Sequence, residues 1–206
     1  MNESRLPTSR FIGLKLSLPL AVFFATLLVA SLQACAPVIV AGAATGAAVA
    51  HDRRTLGSIV DDTSVELRAT GLLDTDPNLK DKVHIDVTSI NGIVLLTGEA
   101  PTPELRDTVL ATIRTIPSIR RIVNEIRVAP LSSLADRTKD TFISGEVKAH
   151  FLAAKGLDPT RIKVVTANSS VYLMGLVNQQ EGDIATNAAA DVRGVQRVVK
   201  LFEYIN

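Results

Sequence analysis

Few side chains of this sequence have the types and the spacing that catalysis or metal binding requires. The three histidines, His51, His84 and His150, are far apart, and none has a second histidine or a carboxylate at ligand spacing. Neither a Gly-x-Ser-x-Gly elbow nor a phosphate-binding loop occurs. Asp61 and Asp62 are adjacent carboxylates, but we expect them to cap the first predicted helix. The sequence therefore favours a protein that is not an enzyme and that binds no metal or cofactor.

Cys35 is the only cysteine of the chain, so an internal disulfide is excluded. It follows an N-terminal segment with Arg5, Arg10 and Lys15 and then an apolar run over residues 16–32. A basic start, an apolar middle and a small residue before a cleavage point are typical of a secretory signal. The run has about 17 residues, the lower limit for a membrane-spanning helix, so an uncleaved anchor is the alternative.

The four residues that end at the cysteine, Leu32-Gln33-Ala34-Cys35, resemble the bacterial lipobox. In a lipobox the cysteine receives diacylglycerol and becomes the mature N-terminus. This resemblance implies a signal peptide over residues 1–34, followed by the lipidated cysteine and an Ala/Gly-rich tether over residues 35–60. Ala36 stands where aspartate would favour retention in the inner membrane, so the resemblance implies attachment to the outer membrane.

The tether consists almost entirely of small residues over positions 36–50. Gly42 and Gly46 have the spacing that lets membrane helices approach closely. Gly-rich segments are poor helix formers, so a flexible tether just above the bilayer is the interpretation we favour.

The charge of the mature chain is nearly balanced. The full sequence has 22 Lys and Arg and 21 Asp and Glu, and removal of residues 1–34 takes away three basic residues and one acid, leaving 19 and 20. Binding of nucleic acid would need a strong basic excess, so the sequence argues against that class of protein.

The sequence repeats itself after residue 60. Asn91 aligns with Asn168 and Gly98 with Gly175, both at an offset of 77 residues, and residues 119–123 match residues 195–199 at an offset of 76. A repeat of this length indicates two copies of one small domain. With about 70 residues each, the copies are small enough that we expect them to pack on one another.

Each copy is predicted to fold as an α+β domain in the order helix, strand, strand, helix, strand. The turns at Asn91-Gly92 and Asn168-Ser169 indicate tight hairpins, in which both turn positions need positive φ. A right-handed crossover then gives a two-layer sandwich with two helices on one face of a three-stranded mixed sheet. Gly98 and Gly175 are expected to be structural, because glycine permits a close backbone approach. The predicted helices cover residues 62–73, 103–116, 139–154 and 181–192, and the last strands cover residues 119–128 and 195–204.

The repeated pattern of an apolar strand, an Asn-Gly-type turn, a Val-x-Leu-x-Gly strand end, a helix and a last apolar strand resembles the BON domain. The pattern is carried by residues 91–92, 94–98, 171–175 and 194–198. Together with the lipobox and the segment Asp52-Arg53-Arg54, it resembles the dual-BON-domain lipoproteins of the proteobacterial outer membrane. The resemblance implies BON domains at residues 61–130 and 137–206, on the periplasmic face of the outer membrane of a Gram-negative bacterium.

The same resemblance implies binding of anionic phospholipids, such as phosphatidylglycerol and cardiolipin, by the first helix of the second domain. It also implies a role in envelope integrity and contacts with outer-membrane assembly or division proteins. We expect the chain to be a monomer.

The helix predicted over residues 139–154 has more apolar surface than one core can cover. On a helical wheel, the arc with Ile143, Val147, His150 and Phe151 would pack on the sheet. A second apolar strip would remain exposed, which suits a bilayer interface, and each nearby cation would add about 1 kcal/mol at an anionic surface. The expected lipid-binding residues are Phe142, Gly145, Ala149 and Leu152, with Arg137, Lys139 and Lys148.

Two alternatives for this strip stay open: it packs against the first domain, or it contacts a protein partner. The first copy is expected to lack the strip, because we align Asp62 and Thr63 with Phe142 and Ile143. The sequence thus predicts an outer-membrane lipoprotein that binds anionic phospholipid and supports envelope integrity. The alternative is a periplasmic adaptor that binds envelope proteins without recognising lipid.

The lipobox interpretation predicts that Cys35→Ala abolishes lipidation. The variant should move from the detergent phase to the aqueous phase in a phase-partitioning experiment, because the acyl chains would be missing. Continued partitioning of the variant into detergent would instead support the uncleaved anchor.

Overall fold

The computed structural model describes residues 53–205, so the predicted signal peptide, Cys35 and most of the predicted tether lie outside the described residues. The described chain forms two similar domains. The first contains α1 (Leu56–Thr75), β1 (His84–Ile90), β2 (Ile93–Ala100), α2 (Pro103–Ile113) and β3 (Arg121–Val128). The second contains α3 (Leu134–Ala153), a 3-10 turn (Pro159–Arg161), β4 (Lys163–Ala167), β5 (Ser170–Val177), α4 (Gln179–Ala190) and β6 (Arg197–Tyr204).

Each domain has one three-stranded mixed sheet. The strand orders are β1-β2-β3 and β4-β5-β6, and the middle strand pairs antiparallel with the first strand and parallel with the last. The order of elements and the sheet type confirm the predicted fold class. The first helix of each domain begins earlier than predicted, at Leu56 and at Leu134. Residues 56–60, which we assigned to the tether, are therefore the first residues of α1.

The two hairpin turns have the backbone conformation that their sequences indicate. Asn91 and Gly92 have φ of 51° and 73°, and Asn168 and Ser169 have φ of 51° and 61°. Asparagine and glycine enter this left-handed region at low cost, whereas Ser169 is a less common residue there. The second turn therefore needs support from outside the hairpin.

A carboxylate on the first helix of each domain supplies that support. The carboxylate of Asp62 accepts hydrogen bonds from the backbone N–H groups of Asn91 at 2.7 Å and Gly92 at 2.9 Å. Asp140 accepts the same two bonds from the second turn, at 2.7 and 2.8 Å. Our prediction that Asp62 caps the first helix is wrong, because Thr55 is the N-cap and Asp62 lies within the helix.

The two domains pack together through their sheets. In β2, Val94 and Leu96 face the helices of the first domain, whereas Ile93 and Leu95 face the second domain. All eight residues of β2 are buried, as expected for a strand that is covered on both faces. The result is a four-layer sandwich in which α1 and α2 form one outer layer and α3 and α4 form the opposite one.

Tyr172 and Met174 of β5 complete the apolar contact between the sheets, and Tyr172 also has a polar role. Its hydroxyl lies 3.0 Å from the carboxylate of Glu125 in the first domain, and Arg197 bonds to the same carboxylate at 2.7 Å. Burial, reinforced by the Glu125 charge, raises the pKa of Tyr172 to about 12, so the phenol stays protonated and donates across the interface.

Arg53, which lies shortly before the first helix, also connects the two domains. The guanidinium of Arg53 donates to both carboxylate oxygens of Glu181 in α4, at 2.6 and 3.1 Å, and Arg161 donates to the same carboxylate at 2.7 Å. Burial raises the pKa of Glu181, but hydrogen bonds from the backbone of Asn178 and from the two arginines outweigh it and hold that pKa below its usual value. Glu181 is therefore a carboxylate shared between the start of the first domain and the second domain.

Gly98 and Gly175 occupy equivalent positions of close backbone approach. A Cβ on Gly98, where φ is +112°, would lie 2.0 Å from the carbonyl oxygen of His84. A Cβ on Gly175 would lie 2.2 Å from the carbonyl oxygen of Arg161. Because the neighbouring atoms are backbone, they cannot move aside as the end of a flexible side chain could.

We predict that Gly98→Ala lowers the free energy of unfolding by about 2–4 kcal/mol, from the steric clash and the strained φ together. Gly71→Ala is the matched control, because a Cβ there meets nothing within 4 Å. Alanine in that helix should raise the free energy of unfolding by about 0.5–1 kcal/mol. Urea unfolding measures both effects, and equal stability of the two variants would contradict the role of Gly98 in close backbone approach.

Candidate functional site

The helix that carries the candidate site, α3, begins at a capping box. The hydroxyl of Ser133 accepts a hydrogen bond from the backbone N–H of Asp136, and the carboxylate of Asp136 accepts from the backbone N–H of Ser133, both at 3.2 Å. The Ser133 hydroxyl and N–H also lower the pKa of Asp136. Ser-x-x-Asp before a helix is a recognisable start signal, and it would have placed the start at Leu134 instead of residue 139.

The inner face of α3 is narrower than predicted. Ile143, Val147 and Phe151, spaced four residues apart, are at most 2% exposed and form the core of the second domain. His150, which we predicted on this face, is exposed. One buried residue in every four is enough to pack the helix on this small sheet. His150, next to Phe151, therefore reaches solvent.

The outer face of α3 carries a row of exposed apolar side chains. Phe142 is 67% exposed and Leu152 is 77% exposed, so the alternative in which both pack against the first domain is wrong. Sheet-to-sheet packing is the reason, because it leaves α3 in an outer layer. The structure adds Leu134, 75% exposed, five helical turns before Leu152 and thus on the same side. We call this set the α3 strip: Leu134, Phe142, Gly145, Ala149 and Leu152.

Exposed cations surround the α3 strip. Arg137, Lys139 and Lys148 lie on the helix and Lys155 follows it, all of them exposed, and none forms an ion pair within residues 53–205. The nearby acids are Glu146, which is exposed, and Asp136, which is occupied in the capping box. The surface around the strip is therefore apolar at its centre and positively charged at its margin.

The first domain differs from our expectation at the corresponding helix. The shared contacts to the hairpin turns align Asp62 with Asp140, so Ser64 and Val65, and not Asp62 and Thr63, correspond to Phe142 and Ile143. The first domain lacks an aromatic residue there. It nevertheless exposes its own apolar row, which we call the α1 strip: Leu56 (63% exposed), Val60 (66%) and Leu67 (70%).

The α1 strip has a different electrostatic setting from the α3 strip. Its exposed charged neighbours on the helix are Asp61, Asp74 and Arg68, so acids outnumber bases. The α1 strip also lies in the outer layer opposite α3, because the two sheets separate the helical layers. One flat surface therefore cannot contact both strips at once.

The described residues offer little for catalysis or metal binding. His84 Nε2 lies 3.9 Å from a carboxylate oxygen of Asp86, an exposed pair on β1. Within residues 53–205 no group of three or more His, Cys, Asp or Glu side chains is arranged to hold a metal ion. In the same part of the chain, no helix combines the length and the apolar character needed to cross a bilayer.

Comparison with known proteins identifies the family. The profile of the BON domain matches residues 61–130 and 139–206. The chain is 31% identical over 175 residues to the outer membrane lipoprotein DolP of Haemophilus influenzae, covering 85% of this chain and 91% of that protein. It is 33% identical over 154 residues to the 21 kDa hemolysin of Actinobacillus pleuropneumoniae, covering 75% and 79%. It is 25% identical over 156 residues to the osmotically-inducible protein Y of Escherichia coli, covering 74% and 77%.

Two family matches and a relative of similar length together show that this chain belongs to the BON domain family, with two tandem copies. The resemblance seen in the sequence is confirmed.

Proposed function

We propose that this protein is a lipid-anchored protein of the periplasmic face of the outer membrane, which binds anionic phospholipid through the α3 strip and supports envelope integrity. The observation that carries the proposal is the row of Leu134, Phe142 and Leu152 on an outer helix, each at least 67% exposed. The name of the Haemophilus relative, an outer membrane lipoprotein, supports the location.

The apolar part of the α3 strip is large enough to matter for binding. Each of its three large side chains would gain about 1.5–3 kcal/mol if fully transferred from water to an apolar environment. Gly145 and Ala149 are small, so the helix surface between the three large side chains is shallow. The helix could therefore lie flat at the level of the headgroups. Phe142 lacks an indole N–H, so it contributes apolar area without the polar contact that tryptophan makes at that level.

The charged margin supports a preference for anionic lipid. Arg137, Lys139, Lys148 and Lys155 would each gain about 1 kcal/mol near an anionic surface. The long side chains of these residues can extend along the helix and place their charges at the phosphates. Phosphatidylglycerol and cardiolipin are the lipids of this charge that we propose as partners.

The vesicle-binding test uses a fragment of residues 51–206, because an acyl anchor would mask binding by the protein surface. This fragment contains both domain cores and the contacts between them. We predict that Phe142→Glu with Leu152→Glu weakens binding to phosphatidylglycerol vesicles more than about tenfold, the effect of 1.4 kcal/mol. Wild-type binding should also weaken as ionic strength rises. Co-sedimentation with the vesicles measures both effects.

The matched control is Val60→Glu with Leu67→Glu, which places the same two charges at exposed apolar side chains of the α1 strip. We expect it to bind like the wild-type fragment. Equal loss in both variants would mean that added negative charge, and not the α3 strip, governs binding. If Phe142→Glu with Leu152→Glu bound the vesicles as tightly as the wild-type fragment, the α3 strip would be excluded as the lipid-binding surface.

A second candidate function is an adaptor that binds an envelope protein, and the α1 strip is the observation that favours it. Its three large apolar side chains lie in the layer opposite α3. If α3 rests on the membrane, the α1 strip faces away from it. The acidic margin of α1 suits a protein partner with an apolar and basic surface better than an anionic bilayer.

We predict that cross-linking in cells captures an envelope protein, such as a member of the outer-membrane assembly or division machinery, through the α1 strip. Val60→Glu with Leu67→Glu should lose this product, because two of the three exposed apolar contacts are replaced by charge. Phe142→Glu should keep it. Loss of the product only with the α3 variant would exclude the α1 strip as the partner surface.

A further inference from the structure

A basic cleft on the first domain is separate from both apolar strips. It lies where α2 ends and β3 begins, has a volume of about 330 Å³, and is lined by Arg114, Arg120, Arg121, Ile116, Ile119 and Ile122. No carboxylate of the described chain lines it. Three arginines and three isoleucines line this cleft, an arrangement that neither the family match nor the α3 strip accounts for.

Arg120 is held in place by several contacts. Its side chain packs so closely on Gly92 that a Cβ there would lie 3.0 Å from its Cγ and Cδ. Its Nη1 donates to the carbonyl oxygen of Asn91 at 2.9 Å, and its Nη2 lies 2.9 Å from the carboxylate of Glu203 in the second domain. Arg120 is therefore a hydrogen-bond donor held in one position. Its charge is shared with Glu203 at the rim of the cleft.

Arg114 and Arg121 provide the charge that is not yet neutralised. Both are exposed, and neither forms an ion pair with any residue between 53 and 205. Arg114 follows the last residue of α2, where the helix dipole favours a cation. Arg121 is the first residue of β3. The two residues belong to two different elements, and both line the cleft.

The corresponding corner of the second domain has fewer arginines at the equivalent positions. The backbone N–H of Ile116 donates to the carbonyl oxygen of Ile113, and the N–H of Val192 donates in the same way to Ala189. These two bonds align the corners at an offset of 76 residues. Gln196 therefore corresponds to Arg120, and Arg197 corresponds to Arg121. Arg197 is engaged by Glu125 at 2.7 Å and lies over the ring of Tyr172. The same fold thus does not need three arginines around a cleft at this position, and their accumulation in the first domain points to a ligand.

We propose that this cleft binds the phosphate group of an organic phosphate. Guanidinium groups match phosphate oxygens with paired, charge-assisted hydrogen bonds, and Arg114 and Arg121 have these donors available. Ile119 and Ile122, which are partly exposed, also line the cleft and would contact the carbon part of the ligand. A free phosphoester and a lipid headgroup share this chemistry.

The first measurement is a titration of the 51–206 fragment with glycerol phosphate, followed by amide chemical shifts at constant ionic strength. We expect saturable shifts confined to residues 114–122 and to the adjoining hairpin turn. Arg114→Gln with Arg121→Gln should weaken binding at least about tenfold, because two of the three phosphate-binding groups are removed. Arg193→Gln, which changes an exposed arginine near the corresponding corner of the second domain, should leave the affinity unchanged.

A second measurement distinguishes a lipid headgroup from a soluble phosphoester. It uses the fragment in which Phe142→Glu and Leu152→Glu disable the α3 strip. Residual binding to phosphatidylglycerol vesicles that disappears on adding the two arginine substitutions would assign the cleft to a lipid headgroup. Saturable glycerol phosphate binding without residual vesicle binding would assign it to a soluble phosphoester. The proposal is overturned if glycerol phosphate causes no saturable shift, or if the arginine double variant binds as tightly as the wild-type fragment. Neither result depends on whether α3 binds lipid.

Discussion

Packing of one sheet against the other is the contact on which the rest of this structure depends. A domain of this size with one helical layer leaves the second face of its sheet uncovered, and Ile93 and Leu95 on that face would meet water. Tyr172 and Met174 of the other copy cover them, at 3% and 0% exposure. Because the sheets occupy the inside, the four α-helices of residues 53–205 must lie outside. The exposure of Phe142 and Leu152 is thus a consequence of how the two copies meet.

The sequence predicts the fold of each copy well, because the fold rests on local signals. Asn91 and Asn168 indicate the hairpins directly, and the positive φ at both is found. The way in which the copies meet has a weaker signal. Ile93-Val94-Leu95-Leu96 is a continuous apolar run instead of an alternating one, which is typical of a strand buried on both faces. Read in this way, the run would have favoured sheet-to-sheet packing over contact through the helices.

The candidate site was predicted in part, and the misses have definite causes. Phe142 and Leu152 follow from helical periodicity alone, but Leu134 lies in the turn that the capping box adds before residue 139. The α1 strip was missed because we aligned Asp62 with Phe142, an offset of 80, whereas the helices align at an offset of 78. The helix also begins at Leu56, before the predicted start at residue 62. The arginine cleft has no periodic signal, since Arg114 and Arg121 belong to different elements that only the fold brings together.

Comparing the two copies within the chain separates residues that serve the fold from residues that can serve function. The pairs that are identical, Asp62 with Asp140 and Gly98 with Gly175, have the same structural task in both domains. Among the positions that differ, three lie toward the outside: Ser64 against Phe142, Leu67 against Gly145 and Arg120 against Gln196.

Since both copies fold alike, stability does not require these outer differences. They leave one protein with an apolar, basic face on α3, an apolar, acidic face on α1 and a basic cleft near the end of α2. Two modules packed back to back can therefore present unlike surfaces in opposite directions. Under the proposed function, one of these faces would lie on the membrane and the other would remain free for a second partner.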